Sequence, residues 1–366
     1  MVERDVLHTP VCDLLRIEHP VVQAGMGYVA RAELAAAVSN AGGLGVIGGA
    51  GFPPERLRLE IQRVRELTDR PFGVDLILPA QTTTGDVLPP RPPSQRPAVD
   101  PDELAHDVNL GEFAVNRDGT PVRPEDLMRI VVEEEVPVFA SGLGNPGPWV
   151  QQLHERGTVV MALVGNVRNA RRVADAGVDV VVAQGTEGGG HTSRVATAAL
   201  TPAVAAAVDV PVLAAGGIAD GVGLAAALVL GAQGAWMGTR FVATHEAVAH
   251  ENYKRKIVEA HEDSTVVTRS YSGKPLRTIR NRWTDDWEAR PWDIVPFPQQ
   301  FKHSRDVYVV ARRDGDTDVG SMPCGQGAAA ITEILPAAEV VRRTVAEARA
   351  VLASRFGLAG TRPPPG

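Results

Sequence analysis

Eight short runs rich in Val, Ile, Leu and small residues, each followed by a helical stretch, constrain this chain more than any other feature. They are Val21 to Met26, Leu44 to Gly49, Phe72 to Leu78, Pro137 to Leu143, Thr158 to Gly165, Val180 to Glu187, Pro211 to Ile218 and Gly234 to Val242. Their hydrophobicity is continuous rather than alternating, as in strands buried on both faces. The segments between them, such as Arg31 to Asn40 and Pro54 to Thr68, read as amphipathic or Ala-rich helices. Repeated βα units ask for a parallel sheet with right-handed crossovers. Eight of them within residues 20 to 242 match the number that closes a (β/α)8 TIM barrel, whereas an open doubly wound sheet needs only about five to seven. The expected fold class is therefore α/β, a (β/α)8 barrel.

Two segments break the rhythm and account for the rest of the 366 residues. Pro79 to Pro124 carries nine prolines where a short connection belongs. It follows the third strand, on the face where barrel enzymes do their chemistry, and reads as a lid or substrate wall or as a solvated insertion. Ala243 to Met322 is more polar and holds Trp283, Trp287 and Trp292. It reads as a small additional α-rich domain after the eighth strand that caps the site or mediates contacts in a homodimer. From Ala328 to Leu358, apolar Ile331, Ile334, Val340, Val341 and Val345 recur at helical spacings, the pattern of a helix that returns to the barrel. The boundaries expected are 1–242 for the barrel, 243–322 for the second domain and 323–366 for the C-terminal helix.

Charge and cysteine content narrow the partners. A net charge of -7 offers no basic field for nucleic acid or anionic lipid, so a small-molecule substrate is favoured. Cys12 and Cys324 are too few for a disulfide framework. The opening MVERDVLHTPVCDLL lacks an apolar stretch of signal-peptide length, and no run approaches the roughly 20 residues that span a bilayer. The expectation is a cytoplasmic protein.

Glycine patterns carry the chemical information. Gly25-x-Gly27-x-x-Ala30 and Gly142-x-Gly144-x-x-Gly147 both imitate a dinucleotide fingerprint. Neither has the acidic residue that should end the next strand and hold a ribose, so tight turns explain them better. More specific is Gln184-Gly-Thr-Glu187-Gly-Gly-Gly190-His191 at the end of the sixth strand. Three successive glycines bare the backbone to a planar ligand, and His191 then faces it with a side chain that exchanges protons near neutrality. His245-Glu246-x-x-x-His250 is one residue too long for two zinc ligands one helical turn apart, and no metal is expected. The seventh and eighth strands end in Ala215-Gly216-Gly217-Ile218 and Met237-Gly238-Thr239-Arg240. At these two strand ends barrels commonly bind phosphate through bare N–H groups. The combination asks for a phosphorylated planar cofactor.

At these residues the sequence resembles the nitronate monooxygenase family, formerly the 2-nitropropane dioxygenases. That group of FMN-dependent barrels includes flavin-dependent enoyl-ACP reductases and quinone reductases. The resemblance rests on HPVVQAGMG, NAGGLGVIG, PFGVD, QGTEGGGHT, PVLAAGGIADG and GAWMGTRF, in the family's order. It implies FMN across the C-terminal mouth, with Ala24, Gly25 and Met26 near the isoalloxazine ring. Gln184 and Gly189 would lie beside the ribityl chain and ring, and Gly216, Gly217, Gly238 and Thr239 at the phosphate. Gly190 and Met237 complete the set of cofactor contacts, and His191 falls where the family places its catalytic histidine.

Two departures bear on the chemistry. Asp75 stands where the family usually has an asparagine touching the flavin. An ionised carboxylate there disfavours the reduced, anionic ring. The turn GTEGGGHTS looks closer to relatives that act on CoA thioesters, including a branch of steroid-ring degradation. The resemblance thus implies an oxidoreductase that oxidises alkyl nitronates with O2, or else a reductase or dehydrogenase working with NAD(P)H, a quinone or the α,β bond of an acyl thioester. A flavin-storing barrel without catalysis has no use for a histidine aimed at the ring.

Overall fold

The computed structural model describes residues 5–78 and 122–356. Most of the proline-rich insertion, residues 79–121, lies outside them. Within the described residues the strands are β1 (Val21–Gln23), β2 (Gly45–Gly48), β3 (Phe72–Ile77), β4 (Val138–Leu143), β5 (Val159–Val164), β6 (Val180–Gln184), β7 (Gly190–His191), β8 (Val212–Ala215), β9 (Gly234–Met237), β10 (Thr265–Thr268) and β11 (Leu276–Ile279). Eight pair in parallel in the order β1-β9-β8-β6-β5-β4-β3-β2, and a parallel bridge between Val22 and Leu44 joins the two ends. All eight hydrophobic runs became these strands, and the (β/α)8 barrel is the fold.

The continuous runs are explained by two buried faces. Val22, Ala24, Val46, Val138, Ala140, Met161, Val182, Leu213 and Trp236 point inward and pack together, with Val11, Cys12 and Leu15 of helix Pro10–Leu15. The alternate residues Ile47, Val74, Phe139, Val160, Val181 and Val212 pack outward beneath the helices. Close packing is tightest at Gly45, where a Cβ would overlap the backbone of Ala35 in helix Ala32–Asn40. Glycine is required there by contact with backbone, which cannot yield as a side chain can.

The strand β9 runs into only a four-residue helix, Thr239–Val242. The tail supplies the missing cover: helix Ala337–Phe356 packs beside helix Gly221–Val229 and against Ala32–Asn40. Gly221 permits this close approach, because a Cβ would collide with backbone of Thr344 and Ala348, and its N–H is taken by Glu347 at 2.8 Å. The tail helix begins at Ala337 rather than Ala328. Pro336 can precede a helix but not continue one, so Ile331 and Ile334 lie ahead of it, after a 3-10 turn at Gln326–Ala330. Between barrel and tail, β10 and β11 form an antiparallel hairpin whose free side pairs with β7, opposing Leu276 to His191. Among the described residues no helix is long and apolar enough to cross a membrane.

Candidate active site

The C-terminal ends of the barrel strands open into one cavity. Of the residues expected at the site, Ala24, Gly25, Met26, Asp75, Gln184, Gly189, Gly190, His191, Gly216, Gly217, Gly238 and Thr239 all line it. Met237 does not. Side chains alternate along a strand, so β9 sends Trp236 to the cavity and Met237 outward into the core beneath the helices. Met237 takes part through its carbonyl, which accepts the Ala24 N–H at 2.9 Å.

His191 is fixed from three sides. Its backbone belongs to β7, paired with β11. Its carbonyl accepts the side-chain amide of Gln184 at 2.9 Å, and its ring Nε2 meets Ser272 Oγ at 3.0 Å. Ser272 is buried and also contacts both the N–H and the carbonyl of Lys274 at 3.3 Å. A hydroxyl both donates and accepts, so Ser272 can hold the ring whether or not Nε2 carries a proton.

Not every glycine is bare for a ligand. A Cβ on Gly189 would lie 2.8 Å from the backbone of Cys324 and Gly325, so that glycine makes room for the chain itself. Gly190 has open space around it and a left-handed φ of 76°. Glu187, in the same turn, accepts the Thr197 N–H at 2.9 Å at the start of helix Thr197–Ala205, a structural task. Glu246 and His250 likewise serve backbone, taking the N–H groups of Ala337 at 2.9 Å and Asn252 at 3.1 Å.

Asp75 holds the opposite wall. It is 7% exposed, and its Oδ1 has no hydrogen-bond partner. Burial pushes its carboxyl well above the usual range, while the Gly142 N–H acts weakly the other way. The buried group thus favours its neutral form, which removes the premise of an ionised aspartate beside the ring. Gly25 and Gly142, the leading glycines of the two false fingerprints, are what admit it. A Cβ on Gly142 would lie 2.7 Å from Oδ1, and one on Gly25 would overlap the Asp75 Cβ.

The end of the cavity near β8 and β9 suits an anion. Gly216 and Gly217 adopt left-handed φ values of 100° and 75°, and the N–H groups of Gly217, Gly238 and Thr239 meet no acceptor among the described residues. A Cβ on Gly238 would find only Met26 Sδ at 3.6 Å and Ala24 Cβ at 3.7 Å, so the cradle has room. Free N–H donors at one end and a buried acid with one unpartnered oxygen at the other fit a planar, phosphorylated cofactor.

Residues absent from the sequence expectations also line the cavity: Tyr253, Leu276, Tyr308 and Arg312 after the barrel, and Pro323, Gly325 and Gly327 before the tail helix. Gly325 donates its N–H to Thr239 Oγ1 at 2.9 Å. Gly327 lies so close to Gly217 that a Cβ would come within 2.5 Å of its carbonyl. The Gly-x-Gly at 325–327 is the one local signal that could have found this wall.

A model of the nitronate monooxygenase family matches residues 8–347. The chain belongs to that family. It is an oxidoreductase of this kind, and its relatives span different reactions. It is 36% identical to a Staphylococcus saprophyticus protein named "Probable nitronate monooxygenase", over 80% of this chain and 84% of that one. It is 37% identical to an octahydroindene-carboxyl-CoA dehydrogenase of Mycobacterium tuberculosis, over 77% of this chain and 69% of that protein. The solved structure of FabK from Thermotoga maritima superposes with a TM-score of 0.80 at 37% identity, covering 97% of this chain and 100% of that one.

Proposed function

We propose that this chain is an FMN-dependent enzyme that oxidises alkyl nitronates with O2, with His191 as its acid or base. The observation that carries the reading is the convergence, on one cavity, of His191 and a cradle of unpaired N–H groups. Gly217, Gly238 and Thr239 would hold the phosphate, with Gly216 providing the turn. Ala24, Gly25, Met26 and Asp75 would border the ring, and Gln184, Gly189 and Gly190 the middle of the cofactor. Bound there, FMN supplies the two-electron exchange and the reaction with O2, which no side chain of the cavity offers.

The protein's own residues handle protons and orientation. His191 is placed to take the α-carbon proton of a neutral nitroalkane and so deliver the nitronate that is oxidised, and Ser272 keeps its ring in place through either state. The segment 243–322 acts as a cap on the mouth, since Tyr253, Leu276, Tyr308 and Arg312 wall the cavity.

The protein as purified should show the absorption of oxidised flavin. His191→Ala should keep that spectrum and lower turnover of neutral 1-nitropropane about 10²- to 10⁴-fold, while preformed propyl nitronate, which has no such proton to lose, is affected far less; unchanged turnover of the nitroalkane rejects the role. Identity to a CoA dehydrogenase favours a second reading, exchange of electrons with an acyl-CoA thioester. Anaerobic mixing with propyl nitronate, NADH, NADPH and acyl-CoAs separates the two by which compound bleaches the flavin.

A further inference from the structure

One charged side chain of the cavity wall carries a charge that neither the cofactor cradle nor His191 uses. Arg312 lies in the short helix Val310–Arg313 and lines the cavity. Its guanidinium stands 5.2 Å from the centre of the Tyr28 ring and 5.0 Å from that of Tyr308, within reach of cation–π attraction. Its Nη2 donates to the Tyr308 carbonyl at 3.1 Å, while Nε is buried without any partner. The adjacent Arg313 pairs with Asp314 at 2.6 Å, whereas Arg312 meets no carboxylate among the described residues. Tyr28 holds its place with a left-handed φ of 68°, a conformation that a side chain disfavours and that surroundings must impose.

A cation in a walled cavity loses hydration and is ordinarily compensated by an opposite charge. Aromatic faces attract the guanidinium but cannot accept its in-plane N–H groups. In a chain whose acids outnumber its bases, 44 to 37, the lack of a carboxylate partner is not a shortage of acids. We propose that Arg312, held against Tyr28 and Tyr308, is the specificity-determining residue that binds the negatively charged group of the substrate. The guanidinium fork matches two oxygens sharing one charge, the geometry of a nitronate or a carboxylate, and it discriminates a nitronate from its neutral conjugate acid, the nitroalkane. This rests on the cavity being the substrate site proposed above.

The test uses flavin-loaded protein and the unreactive pair benzoate and benzamide, one planar anion and its neutral isostere, followed by the perturbation of the bound flavin's spectrum. The wild type should prefer benzoate. Arg312→Met should weaken benzoate binding about 10- to 100-fold, the value of a charge-assisted pair, and leave benzamide binding unchanged. In turnover the same variant should raise KM for propyl nitronate over that range with little change in kcat. Arg312→Lys, which keeps the charge but not the fork, should fall between. If the Met variant loses its flavin, the Lys variant decides: weakened benzoate binding with flavin retained supports the proposal, and benzoate binding equal to the wild type's overturns it. Equal binding of benzoate and benzamide by the wild type, or undiminished benzoate binding by Arg312→Met, also overturns it. A wild type that prefers benzoate through Arg312 yet leaves propyl nitronate untouched would sink the nitronate reading alone.

Discussion

Replacing Asp75 with Asn tests the electrostatics of the cavity wall directly. The ordinary carboxyl value is 3.8, and burial raises it in the folded protein. Below pH 3.8 the carboxyl is protonated in both folded and unfolded chains, and the buried acid carries no ionisation cost. Above it the unfolded chain ionises freely while the folded one does not, so the wild type loses about 1.4 kcal/mol of stability per pH unit. That loss continues until the pH passes the raised native value. Asparagine has nearly the same shape and does not titrate. The variant-minus-wild-type difference in unfolding free energy should therefore widen with pH, by about 1.4 kcal/mol for each unit over which the native carboxyl stays protonated. Urea unfolding at pH 5, 6 and 7, with flavin saturating in both proteins, reads this difference. The slope is the diagnostic, because altered packing or flavin affinity adds an offset that varies little with pH. A difference that is flat from pH 5 upward would mean that Asp75 is ionised in the folded protein and would refute the argument.

Two further outcomes follow from packing. Gly45→Ala drives a Cβ into the backbone of Ala35 and should lower stability by about 1–3 kcal/mol or more, seen as a lower Tm; an unchanged Tm would mean that the helix can slide. Burial pushes the Cys324 thiol up to about 12, and Cys12 is also buried, so at pH 8 a thiol reagent should label neither until the protein unfolds. Rapid labelling of the native protein at Cys324 would contradict its placement.

Much of the site was legible because barrels put chemistry at strand ends, and strand ends are readable. The glycine run before His191, and the glycines at 216–217 and 238, stand at strand ends, although within the run it is Gly190 that is bare while Gly189 makes room for the chain. The misplacement of Met237 came from parity: one residue along a strand turns a side chain from cavity to core. Tyr308 and Arg312 were invisible for a different reason. They lie in a segment without periodicity, more than 100 residues beyond His191. Ser272, which holds the His191 ring, sits 81 residues from it.

The sequence by itself determined the barrel, its eight strands and the position of the candidate histidine, since each follows from patterns a few residues long: continuous apolar runs and glycine turns. The tertiary structure decided what those elements face. It set β7 against β11 and so fixed His191. It brought Gly25 and Gly142 together around Asp75 and thereby made a carboxylate into a buried acid. It also laid Arg312 against Tyr308 and against Tyr28 from the distant start of the chain. Ionisation and pairing depend on which groups share a low-dielectric space, and only the folded chain decides that.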